Sequence, residues 1–110
     1  GVVVAQHLLR GEPVERLRYD RGRLIRGVEM IRLVGEALEV TSEGLRSAAR
    51  HAAICRARDI AAYVLRERGG FSYPEIGALL GGRDHSSAIA AVRRAAALQA
   101  AAAAARQAAS

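Results

Sequence analysis

The stretch "SYPEIGALLGGRDHSSAIAAVRR", residues 72–94, decides how this chain is read. Ser72 with Glu75 three residues on is a capping box, in which hydroxyl and carboxylate each satisfy a backbone N–H at a helix start. Pro74 falls in the first turn, where the N–H it lacks has no intrahelical partner in any case. The helix so opened is short, over 73–80, because Gly81-Gly82 follow Leu80 and glycine accepts the left-handed backbone of a tight turn. Asp84 is placed to cap a second helix whose inner face is Ile89, Val92 and Ala96. Two helices joined by a glycine turn make a helix-turn-helix. The second one opens on a polar run, Arg83-Asp84-His85-Ser86-Ser87.

Working toward the N-terminus, the residues before this unit are also helical in pattern. Leu24, Val28, Ile31, Val34 and Leu38 recur at spacings of three and four, one face of an amphipathic helix that ends near Val40. Thr41-Ser42 can cap a short helix around 42–47. A further helix begins near Ala53, with Ala57, Ile60, Ala61, Val64 and Leu65 on one face and Arg56, Arg58, Arg66 and Arg68 largely on others. Gly69-Gly70 stop it. Residues 2–10 (VVVAQHLLR) fit a short strand or a helix equally, and Gly11-Glu12-Pro13 then break the pattern. Beyond residue 94, eleven alanines in 95–110 favour continuation of the last helix, fraying at its end. The expected division is a segment of unassigned role over 1–21, a helix-turn-helix domain over 22–98 and an Ala-rich tail over 99–110.

Composition agrees with an all-α fold. A chain of 110 residues makes one small domain, and its 51% hydrophobic content is mostly Ala, Leu, Val and Ile with few aromatics. No apolar run is expected to approach a membrane span, and no signal peptide is visible. A single cysteine, Cys55, cannot form an internal disulfide, which fits a cytoplasmic setting. The first residue is Gly, so the chain reads as a processed or excised piece of something longer. All 17 basic residues are arginine, which reads as compositional bias and carries little functional weight. Their placement matters more. Residues 1–43 hold seven Arg and seven Asp/Glu, whereas 44–110 hold ten Arg and four acids, so the whole +6 lies on one segment. A field gathered in this way points to a polyanionic partner.

The polar run fits that partner. The major groove of DNA accepts one α-helix, whose N-terminal residues reach base edges. There Asp84 can accept from a cytosine amino group, His85, Ser86 and Ser87 can bond base edges or phosphate, and Arg83 can hold a phosphate or a guanine edge. Each residue taken singly has a plainer reading: Asp84 as an N-cap worth about 1 kcal/mol, the serines as a solvated first turn, His85 as a surface histidine. Their convergence on the basic segment, after a capping box and a glycine turn, favours DNA. Other chemistry lacks its residues. No G-x-x-x-x-G-K-[ST] loop occurs for nucleotide hydrolysis. His7, His51 and His85 are far apart and Cys55 lacks a Cys at metal spacing, so no metal or other cofactor is expected. Neither a Ser-His-Asp set nor a His-x-His pair beside Tyr19, Tyr63 or Tyr73 is present, so no enzyme and no small-molecule substrate are expected.

Residues 41–98, with their "S-x-PEIG-x-x-x-GGRDHS" run, resemble the C-terminal DNA-binding domain of the bacterial replication initiator DnaA family. The resemblance implies a Trp-repressor-like helix-turn-helix that binds short asymmetric boxes in double-stranded DNA. It implies base contacts from Asp84 and His85, and base and phosphate contacts from Ser86 and Ser87. Arg50 would enter the minor groove, and Arg56, Arg58, Arg66, Pro74 and Arg83 would lie along the phosphate backbone. Three departures stand out. Ser87 replaces the usual Thr; Ala48, Ala49, Ala52 and Ala53 dilute the basic loop around Arg50 and His51; and Asp59 stands where a polar or basic contact is expected. They predict weaker non-specific affinity. Three settings stay open: a replication-initiator-like regulator without ATPase activity, the C-terminal part of a transposase-like protein, and a protein–protein adaptor that has lost DNA binding. The box bound and the oligomeric state are undetermined by the sequence.

Overall fold

The computed structural model describes residues 14–109, with side chains from residue 22 onward; the undecided stretch 2–10 lies outside the described residues. Among the described residues five helices follow one another: α1 (Val14–Leu38), α2 (Ser42–Arg46), α3 (Ala52–Glu67), α4 (Tyr73–Leu79) and α5 (His85–Ala109). Among the described residues there is no strand, and the fold is all-α. α3 is the centre, packed against each of the other four helices.

Burial on several sides explains the composition of α3. Ala57, Ala61 and Ala62 are nearly inaccessible and let α1 and α5 approach closely, while Leu65 fills the core with Phe71, Leu45, Ile76 and Leu80. Ile60 and Val64, expected on the inner face, are only half-buried. The same substitution of small for large shifts two other faces. On α1 the buried line runs through Gly27, Ile31 and Gly35, with Leu24, Met30 and Val34 partly covered; Val28 and Leu38 are 51% and 40% exposed. On α5 the buried residues are Ala88, Ala91, Val92 and Ala95, while Ile89 is half-buried and Ala96 exposed. Glycine and alanine mark where helices touch, but they carry little hydrophobic signal.

Each helix boundary has a local cause. α1 ends at a left-handed Glu39 (φ 58°), and the Val40 N–H returns 2.9 Å to the Gly35 carbonyl. Thr41 caps α2 by accepting from the Gly44 N–H at 3.0 Å. The capping box of α4 is formed in both directions: Ser72 N–H donates to Glu75 Oε1 at 2.8 Å, and Glu75 N–H donates to the Ser72 hydroxyl at 3.3 Å. Phe71 and Ile76, at the flanking positions of a hydrophobic staple, are both fully buried. Arg23 of α1 adds a second tie to that cap. Its guanidinium donates to both Glu75 oxygens at 3.0 and 3.2 Å and lies 4.5 Å from the Phe71 ring centre.

The α4–α5 turn is tight enough to exclude side chains at two positions. Gly82 and Arg83 N–H groups both return to the Gly77 carbonyl, at 3.0 and 2.8 Å. A Cβ on Gly77 would stand 2.0 Å from the Arg83 carbonyl oxygen, and one on Gly81 would stand 2.2 Å from that of Arg46. Gly81 thus seats the turn directly against the end of α2.

The extension of α5 through Ala109 corrects one expectation. By length and composition this helix is apolar enough to cross a membrane, contrary to the expectation that no stretch comes near. Its first turns, however, supply Ala88, Ala91, Val92 and Ala95 to the core of this domain.

Gly77→Ala is expected to lower the unfolding free energy by about 1–3 kcal/mol, through overpacking against the Arg83 backbone, as read by chemical denaturation. The Arg23 guanidinium, and then the Ser72 hydrogen bonds, hold the Glu75 carboxyl down at about 2. Its stabilisation is therefore complete above the unfolded value of about 4.3 and is lost as pH falls toward about 2. Denaturation titrations between those pH values should show a shallower acid loss for Glu75→Gln than for the wild type.

Candidate nucleic-acid interface

The loop 47–51 joins α2 to α3 and carries Arg50 and His51 exposed. Its conformation is set from beneath by Arg58 of α3, which is 8% exposed. The Arg58 Nε donates to the Leu45 carbonyl at 2.9 Å. Its Nη2 lies 3.0 Å from the Ala49 carbonyl, 3.1 Å from that of Ser47 and 3.3 Å from that of Gly44. A guanidinium offers several donors in one plane, and backbone carbonyls here take them. Arg58 was expected along the phosphate backbone; it is instead turned inward, its charge covered by carbonyl oxygens. The physical reason is that α2 ends short of α3, leaving carbonyls at its end and in the loop, of which those of Leu45 and Ala49 are met by Arg58.

Arg83 ties the helix-turn-helix to the same loop. Its Nη2 donates 2.7 Å to the Ser47 carbonyl, and Nη1 donates to that of Leu80. Partial burial, then the neighbouring charges of Arg58 and Arg50, pull Arg83 below the usual arginine value. The Arg83 guanidinium is therefore close enough to those of Arg58 and Arg50 to feel both charges.

Past Arg83, the first turn of α5 is open to solvent. Asp84 Oδ1 accepts from the Ser87 N–H at 2.8 Å, and this bond holds the carboxyl below its usual range. Asp84 thus acts as N-cap and stays ionised at neutral pH, an acceptor. His85, Ser86 and Ser87 are all exposed beside it. Between this turn and the loop runs a cleft of about 500 Å³, lined by Arg46, Arg50, Arg58, Arg83 and Arg94, with Ser87 at the α5 side. The structure brings Arg50, Arg83 and Ser87 to one cleft, and the Asp84 cap joins it through Ser87.

Other expected residues lie elsewhere on the domain. Arg66 donates through Nη1 to the Phe71 carbonyl at 3.0 Å and stacks 4.3 Å from the Tyr73 ring centre, next to exposed Pro74 at the start of α4. Arg56 is exposed on α3.

Asp59, which stands where a polar or basic contact is expected, has a partner. Arg94 of α5 donates to its two oxygens through Nε and Nη2, at 2.9 and 3.0 Å. Sequence reading did not assign Arg94 or Arg46 to the site. The Arg93-Arg94 doublet was the available signal for the first; Arg46 is marked by nothing local beyond its charge. Among the described residues no group of His, Cys, Asp and Glu is clustered for a metal ion.

The model of the bacterial dnaA protein helix-turn-helix family matches residues 28–95. Among curated proteins, the chromosomal replication initiator protein DnaA of Methylibium petroleiphilum is 42% identical over 69 residues, 62% of this chain and 15% of that protein. The DnaA of Pelobacter propionicus is 40% identical over 68 residues (61% and 15%), and that of Gloeobacter violaceus 38% over 63 (57% and 14%). The chain therefore spans only a small part of the length of these relatives. No solved structure matches it. The matched residues contain α2, α3, α4 and the buried turns of α5, and the chain belongs to the bacterial DnaA-protein helix-turn-helix family.

Proposed function

We propose that this chain binds double-stranded DNA with sequence preference, without a catalytic step, in the replication-initiation setting that its relatives' names describe. The first turn of α5 lies in a major groove and the Arg50 loop in the neighbouring minor groove. One observation carries the reading: the Arg83–Ser47 bond and the Gly81–Arg46 contact lock the start of α5 to the basic loop, with the polar residues of both left exposed. Two segments that must enter adjacent grooves at a set separation need such a lock.

Roles follow from placement. Asp84 accepts from a cytosine amino group with the oxygen that its capping bond leaves over, and His85, Ser86 and Ser87 bond base edges and phosphate. Arg50 supplies the minor-groove contact, while Arg56, Arg66 and the Pro74 end of α4 lie along the backbone. Arg83 contributes charge and position together. Arg58 acts through the loop it holds and touches no phosphate. An adaptor that has lost DNA binding draws no support from Asp59, since Arg94 neutralises it.

Titration of a duplex bearing an initiator box against a scrambled duplex, at two salt concentrations, tests the reading. Asp84→Asn, which keeps the cap, and His85→Ala are each expected to cost about 1–3 kcal/mol on the preferred duplex alone. Arg66→Ala should weaken both duplexes alike and reduce the slope of log K against log salt by about 0.9. Equal losses on every sequence from all three variants, or no wild-type preference, would defeat the assignment. Arg58→Met should instead appear as a fall of about 2–4 kcal/mol in unfolding free energy, because its carbonyl partners lose their donors.

A further inference from the structure

The Asp59–Arg94 pair is lopsided. The carboxylate side chain is 12% exposed, held on central α3, whereas the Arg94 side chain is 61% exposed and lines the same cleft as Arg50, Arg83 and Ser87. The two bonds to Asp59 use Nε and Nη2 side-on, so Nη1 remains on the side away from the carboxylate. A planar guanidinium can hold a carboxylate along one edge and present its other donors to a second anion. Arg58 and Arg83 contrast with it, since backbone carbonyls take donors of both.

Resting on the duplex-binding reading above, we propose that Arg94 is a further phosphate-backbone contact, aimed into the cleft by Asp59. The acidic residue on α3 is then a positioning residue. It orients a cation reaching across from α5, in place of a cation on α3 itself. Asp59 makes no DNA contact: it lines the same cleft, and both of its oxygens are taken by Arg94. The contact is to phosphate, so it does not discriminate between sequences.

The test uses anisotropy titrations of the whole chain with box-bearing and scrambled duplexes over a salt series. The double variant Asp59→Asn/Arg94→Gln keeps a neutral hydrogen-bonding pair between α3 and α5 and leaves the formal net charge unchanged. It is expected to lower the salt slope by about 0.9 and to weaken both duplexes roughly eightfold near 0.1 M salt. Asp59→Asn alone raises the net charge yet should weaken both duplexes, because Arg94 loses its anchor. Arg94→Lys keeps the charge and the fold but cannot bridge two anions in one plane, so it should lose affinity at equal salt. An unchanged slope in the double variant, tighter binding by Asp59→Asn, or full affinity in Arg94→Lys would each overturn the proposal. If the wild type keeps its box preference alongside such a result, only this inference falls. A wild type with no duplex affinity removes both readings.

Discussion

Arg58 sits beneath the α2–α3 loop with its guanidinium on the carbonyls of Gly44, Leu45, Ser47 and Ala49, and the geometry of the molecule's basic side follows from that placement. Burying an arginine is costly unless its donors are all met. Here carbonyls at the end of α2 and in the loop supply acceptors for Nε and Nη2, and those of Leu45 and Ala49 gain a donor in return. The loop is thereby held as a fixed shelf rather than a flexible connection. Arg83 then docks on Ser47 of that shelf, and the glycine turn closes against Arg46. Arg58 fixes the shelf from beneath, and the Arg83–Ser47 bond and the Gly81–Arg46 contact fix its distance from the start of α5.

The same arrangement concentrates charge. Five arginines line one cleft of about 500 Å³, and the acid that shares it, Asp59, is committed to Arg94. The repulsion of Arg83 by Arg58 and Arg50, in a partly desolvated site, is a cost that the fold carries when alone. A polyanion would relieve it. This is the electrostatic counterpart of the geometric lock, and together they make a surface preset for the proposed duplex.

Much of the fold was legible because it rests on short-range chemistry. Ser72 and Glu75 announced the start of α4, Gly81 and Gly82 the turn, and Asp84 the cap of α5; each acts within a few residues of itself. The faces were less legible. Val28 was chosen over Gly27 on α1, and Ala96 over Ala95 on α5, because periodicity weighs hydrophobic size while close helix packing selects its absence. The polar residues at the start of α5 were found by their density, but Arg94 was not, since its meaning depends on a carboxylate 35 residues away.

An all-α chain, a helix-turn-helix opened by a capping box, a basic C-terminal segment and a polar first turn on α5 are all written along the chain. These are properties of neighbouring residues and of summed charge. Which arginines hold the protein together and which face outward was decided only in three dimensions. Arg58 and Arg66 look alike on a helical wheel, yet one is buried against carbonyls 9–14 residues away and the other stacks half-exposed on Tyr73. A guanidinium is identical in both settings; the difference is whether distant backbone oxygens arrive to receive its donors.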